Sequence, residues 1–269
     1  MFDQLKLEWF KFRKSGVFQI LSLLYLLLLP LQLAAVQSMK ISVPGLSAQV
    51  LVQFPTVWSF LAYSGSWLVY FFWGFFAIYI FTSEFSQKTF RQNIISGLTR
   101  SKLYWGKVTY LLLLALLSTA YFSIWAIIFG WANQVPESGF GMTDRMIMIP
   151  KFFLMCTGYM TLGIIAATLN RKTAMSVFLY FAYTIFLEPM IRWLMHRRIF
   201  DGRSMLFYPA NSFEDLTPIP LGDVAITQDL AEQTNRSMNL NSQEAIITSI
   251  IYIVLLLTAG WLLIKYRDL

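Results

Sequence analysis

At 269 residues, with 57% apolar and only 13% charged side chains, the chain is too poor in charge for an ordinary soluble domain, where about 25% of residues are charged. One cysteine and one histidine exclude an intrachain disulfide and a cysteine or histidine metal cluster. The net charge of +7 does not point to nucleic acid, because the cations sit at the ends of apolar runs, where they set orientation in a bilayer.

The first stretch, FDQLKLEWFKFRKSG, places Leu5, Trp9 and Phe12 near one helical face and spreads Lys6, Lys11, Arg13 and Lys14 elsewhere, the pattern of a helix lying in the headgroup layer. Six apolar runs follow, at Val17 to Val36, Val57 to Phe81, Val108 to Ala132, Phe152 to Leu169, Ala174 to Leu187 and Ala245 to Ile264. Each approaches the about 20 residues that cross a bilayer as helix, and the fifth is the shortest. Continuous runs favour helices over the alternating segments of a barrel. The first run contains Pro30 and lacks a small-residue cleavage site, so it is expected to stay as a span.

An even number of spans puts both termini on one side. That side would hold Lys6, Lys11, Arg13 and Lys14, then Lys88, Arg91, Arg100, Lys102 and Lys107, then Arg171 and Lys172, then Lys265 and Arg267. The excess of cations there predicts cytoplasmic termini in a multi-pass membrane protein. NRKT at 170–173 reads as a tight turn between the fourth and fifth spans. Glu188 and Pro189 interrupt the apolar pattern, which predicts a break and then an interfacial or re-entrant helix. The charges near span ends, Glu84, Lys151 and Glu188, are expected to reach headgroups or water. Residues 192–243 read as an external segment, with Pro209, Pro218 and Pro220 and several acidic residues.

The chain is poor in catalytic chemistry. Gly106 and Lys107 resemble the end of a phosphate-binding loop, but Ser101 stands where its first glycine is required and Val108 replaces the Ser or Thr. No ionisable residue falls deep within the runs, so the usual mark of a proton-coupled carrier is missing. The second run is ring-rich: Trp58 and Tyr79 suit interface anchoring. Its central group, including Tyr63, Trp67, Tyr70 and Phe71, fits helix packing or the lining of a route for a lipid-like or aromatic substrate.

The segment between the second and third runs, SEFSQKTFRQNIISGLTRSKLYWGK, has five cations among its six charged residues. Phe90, Ile94 and Leu98 recur at four-residue spacing, Ser83 and Glu84 suit a helix start, Gly97 a helix end, and Thr99 or Ser101 a following cap. A short amphipathic helix over 84–97 follows. Glu84, Thr89, Ile94, Ile95, Gly97, Arg100 and Lys107 resemble the pattern after the second span in permease subunits of type-2 ATP-binding cassette (ABC) transporters. Leu98-Thr99 departs from that pattern, which often has a proline before the arginine.

The resemblance implies an all-α integral membrane protein. Its parts would be an N-terminal amphipathic elbow helix at 1–16, spans and a cytoplasmic coupling helix within 17–191, a broken or re-entrant region and external segment at 192–243, and a last span with a short tail at 244–269. It further implies pairing with a second permease copy or paralogue, two copies of a cytoplasmic ABC ATPase that would hold ATP and Mg, no cofactor on this chain itself, and outward export. Glu84, Lys88, Arg91 and Arg100 would then touch the ATPase, and Tyr63, Trp67, Tyr70 and Phe71 would line the pathway. An ATP-independent carrier or channel, or an assembly factor that uses its external segment to hold an extracytoplasmic partner, is the alternative.

Overall fold

The computed structural model describes residues 2–38, 42–43, 46–87, 89–134, 141–199, 203–219 and 239–266. A short helix, α1 (Phe2–Phe12), precedes six helices long and apolar enough to cross a membrane: α2 (Gly16–Ser38), α3 (Thr56–Ser86), α5 (Arg100–Ala132), α6 (Met148–Asn170), α7 (Thr173–His196) and α9 (Ser242–Tyr266). Between them lie α4 (Thr89–Ile95) and α8 (Pro209–Glu214). A two-residue antiparallel ladder, Ser42–Val43 with Leu46–Ser47, follows α2.

The spans are not equivalent. Buried residues make up 72% and 78% of the most apolar windows of α3 and α6, against 17% in each of α2, α7 and α9. So α3 and α6 form the centre, while α2 and α9 turn residues such as Leu23, Leu27, Ile251 and Val254 outward, as a lipid-facing surface requires. Small residues let the central pair approach: a Cβ on Gly163 of α6 would lie 2.6 Å from the Gly74 carbonyl oxygen of α3. Backbones meet this closely in membranes where glycine removes the side chain. Farther along, Phe122 of α5 and Phe152 of α6 stack with ring centroids 4.4 Å apart.

Three boundaries differ from the sequence reading. The α3 helix runs past Phe81 to Ser86, so Ser83 is not a helix cap, and its hydroxyl donates to the Ile80 carbonyl. The α5 helix begins at Arg100, ahead of the apolar run at Val108, and one of the two expected caps is observed: the Thr99 hydroxyl accepts from the Lys102 amide at 3.3 Å. Three cations hid this helical start from a hydropathy pattern. The expected break at Glu188–Pro189 does not occur. The α7 helix passes through it with widened π-helical turns at Ala182–Leu187 and Ile191–His196, which absorb the amide that proline cannot supply. The chain turns back later and packs α8 against α6 and α9.

Two local expectations match the observed backbone. Gly97 has φ 96° just after α4, a left-handed conformation that glycine adopts without a Cβ penalty. The turn between α6 and α7 is tight, with Arg171 also left-handed and its guanidinium over the Phe85 ring. Trp58, by contrast, is not an interface anchor. It is fully buried and its indole donates to the Met142 carbonyl at 3.1 Å.

Candidate functional site

Two sites emerge at different levels of the bundle. At the end that carries both termini, α1, the last turn of α3 and the start of α5 meet in a closed set of charges. Lys107 lies 3.1 Å from Glu84 and 3.3 Å from Glu8, and Lys11 pairs with Glu84 through Oε1. Glu84 and Lys107 are each 1% exposed. The Phe12 ring lies beneath both lysines, with the Lys107 ammonium 5.4 Å from its centroid. Two carboxylates thus balance two ammonium groups. Breaking such a buried set strands a charge, while replacing it by apolar groups is far less harmful.

This junction closes over α4. Glu84 is two residues before the end of α3 and Lys107 is in the second turn of α5, so their contact joins the two helices that α4 connects. Glu8 and Lys11 add α1 to the same knot. Beside it, a cavity of about 340 Å³ is lined by Glu8, Lys11, Glu84, Gln92, Asn93 and Lys102, among others.

Of the residues expected at an ATPase contact, Glu84 is buried in this network, so its carboxylate acts between helices and not on the outer surface. Arg100 donates to the Ile264 and Lys265 carbonyls at 3.2 and 3.1 Å, where it closes the last turn of α9. Arg91 belongs to the short helix α4 by its backbone. Lys88 lies outside the described residues. Glu8 escapes the sequence reading, and Lys107 enters it as a topology cation and as part of the family-like pattern, not as an ion-pair partner of Glu84 and Glu8. A lysine inside the YWGKV run was the available signal, because an amine amid aromatic and β-branched residues must find a carboxylate.

The second site lies farther into the bundle. Tyr63, Trp67 and Tyr70 of α3 line a cavity of about 180 Å³ together with Tyr159, Thr184 and Glu214. Phe71 stands at its margin, stacked near Trp67 with centroids 6.3 Å apart. Three of the four residues expected in a pathway therefore share one cavity, and the fourth adjoins it. The helix is locally π-helical at Val69–Trp73, facing the π-helical turn of α7. The Tyr70 and Thr184 hydroxyls meet at 2.5 Å, and the Tyr180 hydroxyl donates to the Tyr70 carbonyl at 3.1 Å. Wide turns are common at functional sites in helices.

One wall of this cavity is made by α8, and the sequence explains how it is held. Glu188, only 1% exposed, accepts from the Ala210 and Asn211 amides at 2.9 and 2.8 Å, so an acid from α7 caps the first turn of α8. Asp215 accepts from Asn211 Nδ2 and the Leu240 amide, each at 2.9 Å, which ties α8 to the approach to α9. Burial pushes the Asp215 carboxyl up to about 6, aided by nearby Glu214 and opposed by the Leu240 and Asn211 bonds and Arg192. The Phe213 ring fills the space over Gly158, where a Cβ would lie 2.5 Å away. The expectation that Glu188 and Lys151 reach water is corrected, since both are buried. His196 bonds Ser204 and Tyr208 and so braces the turn after α7.

Residues 4–187 match the family model described as ABC-2 family transporter protein. Comparison with curated proteins finds no match.

Proposed function

From the premise that the chain belongs to the ABC-2 family of transporter proteins, and is thus a membrane-spanning permease subunit served by an ABC ATPase, we propose how it converts the ATPase's motion into transport. The permease pairs with a second permease copy or a paralogue, and two ATPase subunits sit beneath the end that carries both termini. That end faces the cytoplasm of the inner membrane. ATP binding draws the ATPases together and pushes α4. The push reaches the membrane because α4 joins α3 to α5 and those helices are tied by the Glu84–Lys107 contact.

The observation that carries this reading is the 3.1 Å Lys107–Glu84 pair, with both groups buried directly behind α4. Pushing α4 against a loose loop would bend the loop. Pushing it against tied helices moves α1, α3 and α5 as one body. The aromatic cavity on α3 lies along the helix so moved, and a change in its walls releases substrate outward. Arg91 and Lys88 carry the ATPase contact, while Glu84 and Arg100 hold the helices to which that contact is transmitted.

Co-purification of the full chain with its ATPase tests the reading. Reversal of Arg91 with Arg91→Glu is expected to lose the ATPase while the spans still insert. Substrate flux through the lone chain without any ATPase, or full ATPase coupling by the Arg91 variant, would overturn it. Orientation is checked separately with Ser96→Cys: maleimide reaction from the outside contradicts cytoplasmic termini.

A further inference from the structure

We propose that the cavity between α3, α7 and α8 binds an amphipathic organic cation, with Tyr63, Trp67 and Tyr70 receiving its apolar body and the Glu214 carboxylate its charge. This deepens the transporter reading above by naming the class of cargo.

The walls are aromatic, and aromatic faces attract cations as well as apolar groups. Three of the polar groups on those walls are spent within the protein. The Ser66 hydroxyl donates to the Tyr63 carbonyl, and the Tyr70 and Thr184 hydroxyls bond each other. Glu214 differs: it is exposed, lines the cavity, and its carboxylate has no hydrogen-bond or ion-pair partner among the described residues.

Charge balance points the same way. Around this end of the cavity stand Glu188, Glu214 and Asp215 against Arg192. Glu188 is occupied by two amides, Asp215 by Asn211 and Leu240, and Arg192 donates Nε to the Met205 carbonyl. An excess of carboxylate remains, and Glu214 presents it to the opening. At about 180 Å³ the cavity is smaller than the roughly 300–1,000 Å³ of a complete drug-sized site. It therefore takes the aromatic or cationic head of a molecule whose remainder lies past the exposed Trp67 and Phe71.

The test uses the full chain, with its ATPase, in phosphatidylcholine nanodiscs and labelled tetraphenylphosphonium as probe, corrected for binding to empty discs. Tetraphenylborate has the same shape with the opposite charge. Saturable binding of the cation and none of the anion is expected. Glu214→Gln should weaken it about ten-fold, Glu214→Asp should restore most of it, and Trp67→Leu should weaken it with the melting temperature unchanged. Equal binding of the borate, or cation binding indifferent to Glu214→Gln, overturns the proposal. If a variant fails to fold, the comparison of cation with anion on the unaltered chain still decides. ATPase retention is scored on the same discs. A retained ATPase without cation binding rejects the cargo class alone, whereas cation binding without ATPase association counts against the transporter mechanism alone.

Discussion

The two buried charge clusters of this permease solve the same problem in opposite ways. At the terminal end, Glu8, Lys11, Glu84 and Lys107 neutralise one another, side chain against side chain, across three helices. Around α8, Glu188 and Asp215 are satisfied mainly by backbone amides and an asparagine, and Glu214 is left open to a cavity. Side-chain pairing locks helices that must move together. Capping by amides places a short helix and leaves charge over for a ligand. Under the proposed function, force transmission falls to the first cluster and recognition to the second.

The largest expected effect comes from breaking the balanced cluster. Lys107→Met strands Glu8 and leaves Glu84 with Lys11 alone, and should destabilise the folded chain by about 3–5 kcal/mol, read as a fall in thermal unfolding temperature in detergent. Adding Glu84→Gln to that variant should recover much of the loss, because the remaining Glu8 and Lys11 are then balanced. A double variant as unstable as the sum of the two singles would show that packing, and not charge, holds the junction.

The next effect should appear only at the other cluster. Gly158→Val forces a side chain into the Phe213 ring and should cost about 1–3 kcal/mol. Displacement of α8 should raise the reactivity of a cysteine placed at Ser212, which is fully buried. The Lys107–Glu84 junction should be untouched, so ATPase association persists.

A pH series sharpens the contrast further. The folded Asp215 carboxyl titrates at about 6, above its ordinary value of 3.8. Between these values the folded state holds the proton more tightly than the unfolded state. Asp215 therefore favours the folded form at low pH, and this advantage declines as pH rises from about 4 to 6 at up to about 1.4 kcal/mol per pH unit. Thermal unfolding in detergent should occur at a higher temperature at pH 5 than at pH 7.5, and Asp215→Asn should shrink the difference. The smallest effect is expected from Tyr70→Phe, which removes the bond to Thr184 and should cost about 0.5–1.5 kcal/mol, measured by the same thermal unfolding.

Much of this architecture is legible in the sequence, for identifiable reasons. Long apolar runs report spans because hydrocarbon leaves few other solutions, and Gly97 reports a helix end because its left-handed backbone disfavours a Cβ. Both signals are local. Tyr63, Trp67 and Tyr70 could be grouped because they lie on one helix. Glu84 was marked as important, yet its role depends on Glu8, Lys11 and Lys107, which are 76, 73 and 23 residues away in sequence. Pairing at such distances leaves no periodic trace. Glu188 was misread for the same reason: beside Pro189 it resembled a helix end, and only the later return of Ala210 and Asn211 supplies the amides that let it stay buried.

The claim that α4 moves with α1 and the ends of α3 and α5 is tested most directly by distance. Nitroxides at Ser96→Cys and Leu7→Cys, both exposed positions, would be introduced in a Cys156→Ser background and measured by pulsed electron resonance in the ATPase complex. The Ser96–Leu7 distance should stay the same with and without ATP, while the distance from Ser96 to a label at Ile219 shifts. A Ser96–Leu7 distance that changes with ATP as much as the Ser96–Ile219 distance would contradict transmission through the Glu84–Lys107 junction.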